Sequence, residues 1–206
     1  MSQFLKIALD FTRAEKELVE IKEFLDRNAT FQEWQITAEL KKRPHVSCLI
    51  GSLIAGVPRP DVYKFEFQLL GVFRADLVVG SSREGRFVFV EFEGGEKTSL
   101  FDRGTIQMRD WSHQMEHGFG QLVDWAWAIQ DGNNTRILRN AFGCDIAAAA
   151  SVLVCGRKAY MDATEQSRFD WRTHNIRLGG MPSTCMTYDR LVSFFETTIE
   201  AIKSYH

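Results

Sequence analysis

A mixed α/β sheet layered with helices is the fold class that this sequence predicts, and three observations carry it. Between Tyr63 and Glu93 the apolar residues follow the period of strands. Before and after that block they recur at helical spacing, on one stripe at a time. A further apolar run, Ile146–Cys155, is rich in small and β-branched residues and has the length of a buried strand. The order helix, three strands, helix, strand, helix supplies layers for both faces of one sheet.

Thr12–Leu25 reads as an amphipathic helix, with Phe11, Ala14, Leu18, Ile21 and Leu25 at helical spacing and Thr12 with Glu15 as a capping box. A second helix is expected over Glu33–Lys42, stopped by Pro44. Gly56, Pro58 and Pro60 mark a turn before the sheet. Strands follow at Tyr63–Leu70, Phe73–Gly80 and Arg86–Glu93, and the turn residues from Gly80 to Gly85 make the last two an antiparallel hairpin. The third strand is apolar on both faces until its end, so it should be central and covered on both sides. Trp111–Gln130 is a helix with Met115, Phe119, Leu122, Ala126 and Ile129 on one stripe. After the strand Ile146–Cys155 comes a charged segment, Asp162–Arg172. A short strand at Ser183–Thr187 and a closing helix at Leu191–Tyr205 complete the chain. Residues 1–45 read as an N-terminal helical segment and 46–206 as the main domain.

Composition narrows the function. The 206 residues are 45% hydrophobic and 25% charged, with a net charge of −2. Such a chain buries roughly 70% of its unfolded surface and needs neither disulfides nor a structural metal. The balance excludes a strongly basic, histone-like nucleic-acid binder but leaves room for a local basic surface. Residues 1–40 hold 5 basic and 8 acidic side chains, and residues 136–190 hold 8 basic and 5 acidic. The longest apolar run is about half of the ~20 residues that cross a bilayer. Met1–Asp10 has no sustained apolar stretch, and Cys48, Cys144, Cys155 and Cys185 form no C-x-x-C pair. The expectation is a cytoplasmic protein without a membrane partner.

The most informative residues are Asp76, Glu91 and Glu93. Glu91 and Glu93 lie two apart on a strand and share the face of Phe87 and Phe89. The hairpin closed by residues 81–85 sets Asp76 about opposite Glu91, where facing Cβ atoms lie roughly 5 Å apart. Like charges so placed repel, and burying them costs several kcal/mol unless something compensates. Three hard oxygen ligands suit Mg²⁺ or Mn²⁺, of the kind that activates water against a phosphodiester. The alternative is that these acids pair with Arg74, Arg86 or Lys97. Glu66, on the neighbouring strand, is a further candidate.

The pattern of Asp76, then Glu91-Phe92-Glu93, then Gln121 on the next helix resembles the PD-(D/E)XK nucleases. More narrowly, several stretches are similar to the Shedu family of bacterial anti-phage defence nucleases: Phe73-Arg-Ala-Asp-Leu-Val-Val79, Val88-Phe-Val-Glu-Phe-Glu93, His117-Gly-Phe-Gly-Gln-Leu-Val-Asp-Trp125, and Val152-Leu-Val-Cys-Gly-Arg157 with Thr187-Tyr-Asp-Arg-Leu191. Phe24-Leu-Asp-Arg-Asn28 matches a segment near the family's start. The resemblance implies a restriction-endonuclease-like mixed central sheet flanked by helices that cuts or nicks DNA with Mg²⁺. Asp76 and Glu91 would then be metal ligands, and Gln121 would shape the site. One departure stands out: the superfamily's usual lysine is Glu93 here. Glu93 would act as general base or as a ligand for a second metal, with Lys97 as the nearest replacement for the charge. The alternative is a catalytically inactive DNA-binding or sensor module. The family carries a variable sensing region before its nuclease domain. This chain looks like a short form, so regulation is expected from a homo-oligomer or a separate partner.

Four other features stand beside it. His113-Gln-Met-Glu-His117 matches H-x-x-E-H, the inverted zinc-peptidase signature, with Glu165 as the one downstream candidate for a third ligand. Trp125 and Trp127 on one helix would stack on bases or, as buried helical tryptophans more often do, fill the core. Arg157 and Lys158 follow a buried strand, and Arg157 would contact phosphate or make an internal salt bridge. Arg168, Arg172 and Arg177 suit a DNA backbone track or a solvated helix face.

Overall fold

A computed structural model describes residues 4–53, 57, 59–102 and 109–204. The described residues form one sheet of six strands in chain order: β1 (Leu5–Lys6), β2 (Val62–Leu69), β3 (Phe73–Ser81), β4 (Arg86–Phe92), β5 (Ala148–Val154) and β6 (Ser183–Met186). Neighbours from β1 to β4 are antiparallel, and β4–β5 and β5–β6 are parallel. Parallel neighbours need long crossovers. The first carries α4 (His113–Gln130) and α5 (Thr135–Phe142), and the second carries α6 (Ala163–Asn175). The chain opens with α1 (Phe11–Arg27), α2 (Glu33–Lys41) and α3 (Pro44–Cys48), and α7 (Tyr188–Ser204) closes it.

β4 is central and covered on both sides, as its two apolar faces predict. Phe87 and Phe89 pack into a core with Met115, Leu122 and Trp125 of α4, Phe142 of α5 and Phe169 of α6. Val88, Val90 and Phe92 point the other way, against Leu18 and Ile21 of α1, Ile36 and Leu40 of α2, and Phe195 of α7. Each such side chain contributes about 1.5–3 kcal/mol of burial, so no face of this strand is free to hold a solvated charge. α1 and α2, within the stretch read as an N-terminal helical segment, thus share one core with the sheet. Among the described residues no helix is long and apolar enough to cross a membrane.

Several local expectations change. The cap of α1 is Asp10, whose carboxylate accepts the Arg13 N–H at 3.0 Å, because the helix already begins at Phe11, one residue before Thr12. Pro44 opens α3 at its first position, where the missing N–H costs nothing. The charged segment after Asp162 is the helix α6, started by a capping box of Asp162 and Glu165. Its apolar stripe is too thin to read by period. α5 was hidden for the same reason: Leu138 and Phe142 alone are buried on it, and Gly143 ends it at φ +75°. Gly56, Pro58 and Tyr205, which carried parts of the expected turn and closing helix, lie outside the described residues.

Candidate active site where β4 ends beside β3

The ladder between β3 and β4 pairs Ser81 with Arg86 and Leu77 with Val90. Continued by one residue, this register sets Asp76 against Glu91, as the hairpin spacing predicts. Asp76 Oδ2 accepts the Phe92 N–H at 2.9 Å, so its carboxylate is tied to β4. Glu91 keeps the face of Phe87 and Phe89 by strand alternation and meets α4, where the Gln121 side-chain amide donates to its Oε1. Glu93 lies one residue past the strand, and its backbone is held twice. Its N–H donates to the Val154 carbonyl at 2.8 Å, and its carbonyl accepts the Tyr188 hydroxyl at 2.5 Å. Against it lies Gly118 of α4: a Cβ there would stand 3.1 Å from Glu93 Cγ and 2.6 Å from Leu153 Cδ1. The sequence thus leaves a gap in the helix surface where the carboxylate needs room.

Asp76, Glu91 and Glu93 are all buried. Two of their oxygens, Glu91 Oε2 and Glu93 Oε1, are enclosed without a hydrogen-bond partner. Burial therefore pushes all three carboxyls up. Asp76 rises to about 6 from burial, with the Phe92 N–H, Arg74 and Lys41 opposing the rise and the charge of Glu33 adding to it. Glu93 rises to about 8, from burial and then from the charges of Glu33 and Asp76. Glu91 rises furthest, to about 10, because it also feels Asp76, Glu93 and Glu33, against one favourable bond from Gln121. Buried carboxylate oxygens without a partner are costly, and groups perturbed in this way mark a candidate functional site.

Sequence reasoning missed Glu33. It opens α2, is exposed, and its charge reaches all three buried acids. No periodicity reveals this, since only the packing of α2 brings it to the site. Glu66 falls between the pairs Phe65–Leu77 and Phe67–Ala75, hence opposite Asp76, but its backbone is left-handed at φ +53°. Its carboxylate is taken by Lys41 Nζ at 3.1 Å, and that partner holds it below the usual carboxylate range.

The other candidate residues go elsewhere. Lys97 Nζ lies 5.9 Å from the ring centroid of Tyr160. Arg157 pairs with Asp189 at 3.1 Å and donates to the Leu25 carbonyl, and the Lys158 N–H donates to the same Asp189. These bonds fix the loop after β5 to α1 and α7. Arg172 is buried, pairs with Glu116 and lies over Trp111 and Phe119. Arg168 donates to the Arg109 carbonyl and lies over Phe101 and Trp111. The track expected along this helix therefore has one face folded inward. His113 and His117 do share a face of α4, with ring centroids 6.0 Å apart. Glu165, the third ligand that a zinc site would use, is instead bound by Arg109 and caps α6. Trp125 is core, whereas Trp127 is exposed.

Among the described residues no group of three or more His, Cys, Asp and Glu side chains is already gathered to hold a metal ion. The donor set nevertheless fits a hard divalent cation: all oxygen, mutually repelling, and with two oxygens that lack any other partner. Asp76, Glu91 and Glu93 are the residues that would hold Mg²⁺ or Mn²⁺. Residues 16–192 match the family described as Shedu protein SduA, C-terminal. No curated protein matches the chain.

Proposed function

The chain belongs to the family of the C-terminal region of Shedu protein SduA, and from that premise we propose that it is a metal-dependent DNA endonuclease or nickase, of the PD-(D/E)XK type, acting in anti-phage defence in the cytoplasm. The family itself speaks for anti-phage defence. The observation that carries the chemistry is the pair of buried, unpartnered oxygens, Glu91 Oε2 and Glu93 Oε1, beside Asp76. A bound Mg²⁺ or Mn²⁺ would activate water and neutralise charge at the scissile phosphate. The protein's own residues do the rest. Gln121 fixes the rotamer of Glu91 by the hydrogen bond that its side-chain amide donates. Val154 and Tyr188 fix the backbone of Glu93, whose Oε1 would take a proton from attacking water. Glu93 thereby does base work where the superfamily carries a lysine.

Nicking of supercoiled plasmid by the wild type and by Glu91→Ala, with bound metal measured in both, tests the reading. The wild type should nick with Mg²⁺ or Mn²⁺, and Glu91→Ala should lose about 100-fold or more together with bound metal. Plasmid and linear DNA left intact at every salt and metal, or a Glu91→Ala protein that nicks as fast as the wild type, overturns it.

A further inference from the structure

α6 builds a second feature that the carboxylates do not use. A cavity of about 430 Å³ is lined by Trp111, Ser167, Arg168, Trp171, Arg172 and Ile176. Trp171 is 64% exposed, an unusual place for the largest apolar side chain in a helix whose inner face has Phe169 to bury. The same helix adds two guanidinium groups to the lining. Arg168 lies 5.3 Å and Arg172 4.7 Å from the Trp111 ring centroid. Arg172 pairs with Glu116, but its Nε is enclosed without a partner, and its side chain is only 9% exposed. Arg168 donates to the Arg109 carbonyl and lies over Phe101, and among the described residues no carboxylate pairs with it.

We propose that this cavity binds one nucleotide unit, its base stacked on Trp171 and its phosphate drawn by Arg168. A flat aromatic left in water beside a guanidinium with no carboxylate partner among the described residues matches a ligand that is flat at one end and anionic at the other. The volume lies within the range of small-ligand sites and suits a single base with its sugar, not a duplex. This chemistry differs from a backbone track, which reads phosphates alone and leaves no role for Trp171. The choice of a nucleotide among flat anions rests on the DNA reading above. The unit comes either from a free mononucleotide or from an unpaired base of a strand, and the two sources share the same contacts.

The test uses the full chain in EDTA, so that cleavage plays no part. Binding of fluorescein-labelled octathymidylate is followed by anisotropy, with adenosine monophosphate as competitor and a blunt duplex as second probe. Trp171→Ala should weaken octathymidylate binding about tenfold, and Trp171→Phe should restore most of it. Arg168→Ala should weaken binding and flatten its salt dependence. Displacement by the mononucleotide assigns a free nucleotide as ligand, and resistance to it assigns the strand. Equal binding by Trp171→Ala and wild type, or a loss on the blunt duplex as large as on the single strand, overturns the proposal. A protein that binds in this way but never nicks would sink the nuclease reading and leave the nucleotide site standing.

Discussion

Glu93 rests against Gly118, in a gap of α4 that any Cβ would close. The gap sits mid-helix, where glycine costs roughly 1 kcal/mol relative to alanine, so helix propensity alone would favour filling it. Gly120, two residues on, has nothing within 4 Å of its own would-be Cβ. The two glycines make a matched pair. Gly118→Ala should press on Leu153 and Glu93, costing about 1–3 kcal/mol of overpacking against that propensity gain, and should cut nicking tenfold or more. Gly120→Ala should raise Tm and keep activity. Thermal melts and plasmid nicking on both variants check this, and a Gly118→Ala protein as active as Gly120→Ala would show that Glu93 has no fixed post.

The three buried acids set the pH dependence of stability without metal. A carboxyl raised on folding binds its proton in the native state while the unfolded chain has released it. Stability is therefore full below the unfolded pKa and falls as pH rises toward the folded one. For Glu93 the window runs from 4.5 to about 8, and for Glu91 from 4.5 to about 10. Asp76 adds to the lower part, between 3.8 and about 6. Each group contributes up to about 1.4 kcal/mol per pH unit inside its window. In EDTA, Tm should decline from pH 5 to pH 8, and Glu93→Gln should flatten the decline. Mg²⁺ should raise Tm more at pH 8 than at pH 5, because it binds the ionised form. A Tm that climbs over this range would contradict the burial of these groups.

Gln121 gives the site its only neutral donor to Glu91 among the hydrogen bonds of the described residues, and it also lies 3.3 Å from His117 Nε2. Gln121→Glu would set a fourth carboxylate beside Glu91, and metal-free stability should fall by about 1–3 kcal/mol, more at pH 8 than at pH 5. Gln121→Ala should leave Glu91 mobile, with nicking reduced about tenfold and the metal requirement shifted to higher concentration. Metal titrations of the nicking rate separate the two, and an unchanged metal dependence in Gln121→Ala would remove Gln121 from the site.

The strands and the hairpin register were legible because period and turn chemistry are local: residues 81–85 alone place Asp76 opposite Glu91. Burial of both β4 faces was legible from Phe87 to Phe92 for the same reason. What the sequence hid depends on packing. Glu33 reaches the site only because α2 docks on the face opposite Phe89. Lys97 leaves it only because its loop turns toward Tyr160. Thin apolar stripes concealed α5 and α6, where only Leu138 and Phe142 on the one and Phe169 on the other are buried apolar residues. The same holds for the basic residues, whose count is visible in a sequence and whose partners are not.

Arg157 shows what that difference predicts. Its place after β5 suits phosphate contact, yet its guanidinium is tied to Asp189 and to the Leu25 carbonyl, linking β5 to α7 and α1. Only 16% of its side chain is exposed. Removing it would leave Asp189 and a helix-end carbonyl short of a donor. Arg157→Ala should therefore destabilise the fold by about 1–3 kcal/mol. DNA affinity measured well below Tm should stay within twofold of wild type, with the salt slope unchanged, since a lost phosphate contact would lower that slope by about one. Lys158 joins this arrangement through its backbone N–H, so Lys158→Ala should keep the loop bond and the stability. A reduced salt slope in Arg157→Ala, without loss of stability, would return Arg157 to the DNA surface.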